Sequence, residues 1–160
     1  MKLRAAILTI SDSSFMKMRR DESGPAVRAG LESRGWEVAA PEVLPDERAL
    51  IAARLREIAD SGEVDAVFTT GGTGAAVRDV TPEATRDAIE REMPGLGERM
   101  RAEGVKFTPL AYLSRATAGL RARTLIVNLP GSPKGAVQSL DAVADLVPHI
   151  VSLLRGDTGH

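Results

Sequence analysis

The chain has 160 residues, 43% apolar, with no cysteine and a formal net charge of −1. That length buries roughly 68–70% of the unfolded surface, so one domain over residues 1–160 is expected without a covalent or metal staple. The missing cysteine excludes thiol catalysis, disulfides and thiolate metal sites and is compatible with a reducing cytoplasm, while interspersed charge and 3% aromatic content argue against a nucleic-acid-binding face.

Residues 3–10 are apolar and read as a buried strand. The polar run Ser11-Asp12-Ser13-Ser14 interrupts it too early for a secretion signal. No apolar run reaches the ~18 residues of a membrane span. Residues 11–23 read as a polar loop, in which Lys17-Met18-Arg19-Arg20 is a solvated cluster with a ligand-gating role open to it. Residues 24–34 predict a helix with Pro25 in its first turn. Residues 36–43 predict a second strand. Pro45-Asp46-Glu47 opens a helix with Asp46 as N-cap, and Ile51, Leu55, Ile58 and Ala59 share one face. Residues 64–69 form a third strand. Thr81 is expected to cap a helix that carries Pro82 and Glu83 and runs to about Glu92. Pro94-Gly95 breaks it, and a short helix follows to Glu103. Residues 105–113 are ambiguous. Residues 123–129 are a clear strand, and Pro130-Gly131-Ser132-Pro133 turns it into a last helix that Pro148 should kink.

Strands alternating with helices imply a mostly parallel sheet covered on both faces. Ligands bind such sheets at the carboxyl ends of the strands. The polar segments 11–14, 69–79 and 128–134 gather there, with Pro45-Asp46 as a fourth. The segment Gly71-Gly72-Thr73-Gly74 has the composition of a phosphate cradle. Glycine lets backbone N–H groups approach an anion, and threonine adds donors. It is not a Walker A loop, since no lysine follows Gly74. It also lacks the third glycine of a dinucleotide fingerprint. Asp46 and Asp79 follow strands of one sheet, so they can meet across a cleft and hold Mg²⁺ against substrate phosphates. Asp46 equally suits an N-cap, and Asp79 a pairing with Arg78. Ser132 and Lys134 suit a second phosphate, as do Ser114 and Arg115. Neither His149 nor His160 has a third ligand nearby, and no Gly-x-Ser-x-Gly elbow occurs.

Several motifs stand in order: Ile10-Ser11-Asp12-Ser13, Leu44-Pro45-Asp46-Glu47, Thr69-Thr70-Gly71-Gly72-Thr73-Gly74, Arg78-Asp79-Val80-Thr81-Pro82-Glu83-Ala84, Arg91-Glu92-Met93-Pro94-Gly95, Leu113-Ser114-Arg115 and Asn128-Leu129-Pro130-Gly131-Ser132-Pro133-Lys134. Together they resemble the molybdopterin adenylyltransferase family, which includes the gephyrin G domain and its bacterial relatives. The resemblance implies a three-layer α/β/α sandwich assembled as a homotrimer. It implies transfer of AMP from Mg-ATP to the molybdopterin phosphate with release of pyrophosphate. By the same resemblance Asp46 and Asp79 are the catalytic, Mg²⁺-linked acids. Gly71, Gly72, Thr73, Gly74, Ser114, Pro130, Gly131 and Ser132 bind substrate, and the molybdenum-insertion enzyme is the onward partner. After Gly74, where family members often carry a proline or an aromatic, this chain has Ala75-Ala76-Val77, a smaller loop. A non-catalytic molybdopterin-binding paralogue and an oligomeric scaffold are the alternative readings.

Overall fold

A computed structural model describes residues 2–159. Seven strands form one sheet: β1 (Arg4–Ile10), β2 (Glu37–Val38), β3 (Glu42–Leu44), β4 (Ala66–Thr70), β5 (Arg91–Glu92), β6 (Ala118–Arg121) and β7 (Thr124–Leu129). The order is β2-β1-β4-β7-β6-β5, with β3 pairing β1 beyond β2. All pairings among β1, β2, β3, β4 and β7 are parallel, while β6 and β5 add an antiparallel edge. The helices are α1 (Asp12–Phe15), α2 (Ser23–Glu32), α3 (Arg48–Ser61), α4 (Thr81–Ala88), α5 (Pro94–Gly104), α6 (Pro133–Val143) and α7 (Val147–Leu154).

Alternation along the central strands explains the three layers. In β1, Ala5 and Ile7 face one core while Leu8 and Ile10 face the other; in β4, Ala66 and Phe68 oppose Val67. The larger core joins these strands to α2, α5, α6 and α7, and Trp36 sits there 6.0 Å from Phe68 between ring centroids. The smaller core holds Ile51 and Leu55 of α3 and Ala84 and Ala88 of α4. This is the expected α/β/α sandwich with a mostly parallel sheet.

Several local expectations give way to tertiary pairing. The polar loop after β1 contains the single turn α1, capped by Ser11, whose Oγ accepts the Ser14 N–H. The second predicted strand is split into β2 and β3 around Ala39, Ala40 and Pro41. Asp46 is not the N-cap of α3: Glu47 holds that position, and no side chain caps it. Thr81 likewise lies inside α4, with Val80 at the N-cap. That helix stops at Ala88, because Glu90 N–H donates to the Leu120 carbonyl and residues 91–92 add to the edge of β6. Residues 109–113 form a 3₁₀ turn capped by Thr108. The last helix breaks into α6 and α7 at 60°, with Pro148 in the first turn of α7 after the break. No single helix among the described residues is long and apolar enough to cross a membrane.

The strand order positions the site. From β1 the chain moves outward to β2 and β3, then recrosses to β4 on the other side of β1. The loops leaving β1 and β4 therefore diverge and open a crevice at the carboxyl ends of the strands.

Candidate active site

The turn after β4 runs through the left-handed region at Gly71 (φ 95°) and Gly72 (φ 69°). Gly71 is squeezed between neighbouring main chains: a Cβ there would lie 2.3 Å from the Ile10 carbonyl oxygen. Gly71 N–H donates to Leu129 and Gly72 accepts from Thr81 N–H. The N–H groups of Gly72, Thr73 and Gly74 have no acceptor among the described residues. Consecutive N–H groups free to donate are what an anion cradle needs. A Cβ on Gly72 would sit 3.1 Å from Asp46 Oδ1 and 2.2 Å from Thr81 Oγ1; one on Gly74 would sit 2.9 Å from Asp79 Oδ2. The glycine backbone thus runs beside both carboxylates, with no room for side chains. Thr81 Oγ1 is the one buried side-chain polar atom without a hydrogen-bond partner among the described residues.

Asp46 and Asp79 line one hollow of about 360 Å³, with Gly71, Gly72, Gly131 and Ser132. Thr73, Gly74, Ser114, Pro130 and again Ser132 line a second of about 270 Å³. The two carboxylates, the glycine loop, Ser114 and residues 130–132 each border one of the two, and Ser132 borders both; Lys134 and Arg115, expected to suit a second phosphate, border neither. Its Oγ caps α6 by accepting the Gly135 N–H at 3.1 Å, which fixes the turn between them.

The electrostatics of Asp46 come from three loops. Burial pushes its carboxyl above the ordinary value; the Asp12 N–H opposes this, the Asp12 and Asp79 carboxylates reinforce it, and Arg78 opposes it. Arg78 does not pair with Asp79. Its Nε and Nη2 donate to both oxygens of Asp12, each at 2.9 Å, and hold that carboxyl below its ordinary value. Asp79 instead accepts the Ala76 N–H at 3.0 Å through Oδ2. No group of three or more metal-ligating side chains occurs among the described residues. A cation here would take two carboxylates and complete its shell from water and phosphate oxygens, which is how Mg²⁺ binds.

Two residues matter more than their sequence context suggested. Asp12 links the β1 and β3 loops, and its signal was an acid directly after a buried strand of a parallel sheet. Arg115 braces the glycine loop: Nε donates to the Gly74 carbonyl at 2.9 Å and Nη2 to the Asp79 carbonyl at 2.7 Å. Its Nη1 pairs with Glu83 at 2.6 Å. No local pattern marks that role. Asn128, counted both in the expected strand 123–129 and in the polar segment 128–134, is buried in β7 and donates to Thr69 and Thr85. His149 is exposed on α7, and His160 lies outside the described residues.

Residues 6–149 match the sequence profile of the family described as "Probable molybdopterin binding domain". The chain belongs to this family. Molybdopterin adenylyltransferase of Helicobacter pylori strain J99 is 39% identical over 160 residues, covering 97% of this chain and 89% of that one. The Escherichia coli K12 protein of that name is 39% identical over 169 residues, covering 96% and 86%. The crystal structure of the molybdopterin biosynthesis enzyme MoaB from Thermus thermophilus superposes with a TM-score of 0.90 at 52% identity, covering 96% of this chain and 97% of that one. In this chain the glycine loop stands at the switch point between β1 and β4, with Gly71 and Gly72 on one hollow and Thr73 and Gly74 on the other.

Proposed function

We propose that this chain is a molybdopterin adenylyltransferase of molybdenum cofactor biosynthesis, using Mg-ATP. The observation that carries this is the placement of Asp46 and Asp79 beside one glycine cradle in one hollow, with a second hollow across Ser132. Two adjoining hollows suit two substrates, and relatives at 39% identity bear the transferase name over nearly their whole length.

In the reaction an oxygen of the molybdopterin phosphate attacks the α-phosphorus of ATP. A phosphorus–oxygen bond forms on that side, the bond to the β-phosphate oxygen breaks, and pyrophosphate leaves with the electron pair. The attacking oxygen is already anionic near neutral pH, so no general base is needed. That agrees with a site built without histidine or cysteine. Positioning and charge stabilisation do the work. The N–H groups of Gly72, Thr73 and Gly74 face the developing negative charge. Asp46 and Asp79 would hold Mg²⁺, which would supply positive charge against the phosphate oxygens. Thr73, Gly74, Ser114, Pro130 and Ser132 seat the second substrate. The family resemblance implies a homotrimer and onward delivery to the molybdenum-insertion enzyme, and the absence of cysteine is compatible with a cytoplasmic setting. Exposed Phe107, Leu110, Tyr112 and Leu113 are a surface that supports assembly.

Incubation with molybdopterin and Mg-ATP should yield pyrophosphate and adenylylated molybdopterin. Asp46→Asn and Asp79→Asn should each cut turnover by about 10²-fold or more, and chelation of the metal should do likewise. Unimpaired variants, or no product where molybdopterin binds, would defeat the reading.

A further inference from the structure

The hollow beside Asp46 and Asp79 carries four acids on its wall, Asp21, Glu22, Asp46 and Asp79, and two basic side chains, Arg19 and Arg20. With Mg²⁺ on Asp46 and Asp79, the carboxylates of Asp21 and Glu22 still face an anionic nucleotide entering it. The arginines nearest the glycine loop cannot answer them. Arg78 spends both ends of its fork on Asp12, and Arg115 is held by Glu83 and two carbonyls.

Arg19 and Arg20 differ. Neither pairs with a carboxylate among the described residues, although Asp21 and Glu22 adjoin them in the chain. The cause lies in Asp21, which is turned inward. Its Oδ2 accepts the Thr9 hydroxyl at 2.8 Å and its Oδ1 accepts the Gly24 N–H at 3.1 Å. That anchors the acid to the end of β1 and leaves the two arginines exposed at the mouth of the hollow. The segment turns at Lys17, whose φ of 58° is left-handed, and the Met18 and Arg19 N–H groups donate back to the Ser13 carbonyl.

Resting on the adenylyl-transfer reading, we propose that Arg19 and Arg20 bind the β- and γ-phosphates of the nucleotide and the pyrophosphate they become. Guanidinium forks match phosphate oxygens two at a time, and two of them offset the acidic wall. The glycine N–H groups and the carboxylates beside them are left to the α-phosphate, where the bond forms. Exposed arms at the mouth then let pyrophosphate depart toward solvent.

The test is calorimetric titration of the full chain and of Arg19→Gln, Arg20→Gln and the double variant with inorganic pyrophosphate, Mg-ATP and AMP. The double variant should bind pyrophosphate and Mg-ATP about tenfold or more weakly, from two charge-assisted contacts discounted for exposure. AMP should change less than about twofold, since it lacks those phosphates, and the KM for molybdopterin should hold while that for Mg-ATP rises. Replacement of both arginines by lysine should restore part of the loss. Pyrophosphate bound equally by the double variant overturns the inference, and so does an equal loss of AMP. Pyrophosphate binding does not require turnover. A chain that forms no product yet loses pyrophosphate on substitution would sink the transferase reading and keep this one.

Discussion

Asp12 and Asp46 hold each other by exchanged hydrogen bonds: the Asp12 N–H donates to Asp46 Oδ2 and the Asp46 N–H to Asp12 Oδ1, both at 2.9 Å. Two like-charged side chains are joined without a direct contact between their charges. The arrangement ties the loop after β1 to the loop after β3, and Arg78 adds the glycine loop to the same knot. It leaves Asp46 Oδ1 turned toward Gly72.

Asp12→Ala removes the acceptor for both Asp46 N–H and Arg78. Turnover should fall about tenfold or more, because the Asp46 loop loses its tether, while affinity for substrate changes less. Asp12→Asn keeps one acceptor oxygen and should retain more activity. Steady-state kinetics of pyrophosphate release on both variants check this; equal kcat in Asp12→Ala and the unsubstituted chain would refute it.

Gly72→Ala should be damaging for two separable reasons. An L side chain at φ 69° costs about 1–2 kcal/mol, and its Cβ would collide with Thr81 Oγ1. Urea unfolding should show a loss of about 2 kcal/mol or more, with activity falling further as Asp46 is displaced. Gly95→Ala is the control, since nothing lies within 4 Å of a Cβ there.

Arg115→Lys keeps the charge but cannot donate to Gly74, Asp79 and Glu83 together. The glycine loop should loosen around Asp79. A loss of about 1–2 kcal/mol of stability is expected, with kcat down about tenfold. Thermal unfolding and kinetics measured on the same preparation separate the two effects.

The pH dependence of stability should carry a signature of Asp65, which is 4% exposed at the start of β4. Burial pushes its carboxyl up, but hydrogen bonds from Arg155 and from the main chain and side chain of Arg4 outweigh this and hold it below the ordinary value. A depressed carboxyl stabilises the fold above its unfolded value of about 3.9 and loses that contribution as pH falls through the folded value. Asp65→Asn should therefore be about 1–3 kcal/mol less stable at pH 7. The gap to the unsubstituted chain should close below about pH 3.9. Urea titrations at pH 7, 4 and 3 would show it; a gap that widens in acid would contradict it.

The layered fold was readable because burial and alternation are local. Residues 3–10 and 123–129 are so apolar that only central strands suit them, and the stripe Ile51, Leu55, Ile58 needs a sheet to cover. The short edge elements were not readable. Ala118–Arg121 carries no period of its own and becomes β6 only by pairing with β7, and residues 91–92 leave helix for strand because β6 offers unpaired backbone. The glycine loop was legible by composition, since Gly71 and Gly72 have conformations that side chains disfavour.

Sequence alone put forward the candidates: Asp46, a glycine turn and Ser132 each within a few residues of a strand's end, and Asp79 at the far end of the loop after β4. The tertiary structure decided their allegiances. It freed Asp46 from capping duty, gave Arg78 to Asp12 and spent Arg115 on the glycine loop. The physical reason is that hydrogen-bond partners more than sixty residues apart, as Asp12 and Arg78 are, depend on strand order. No local preference encodes that order; it follows from how the whole sheet buries its two faces.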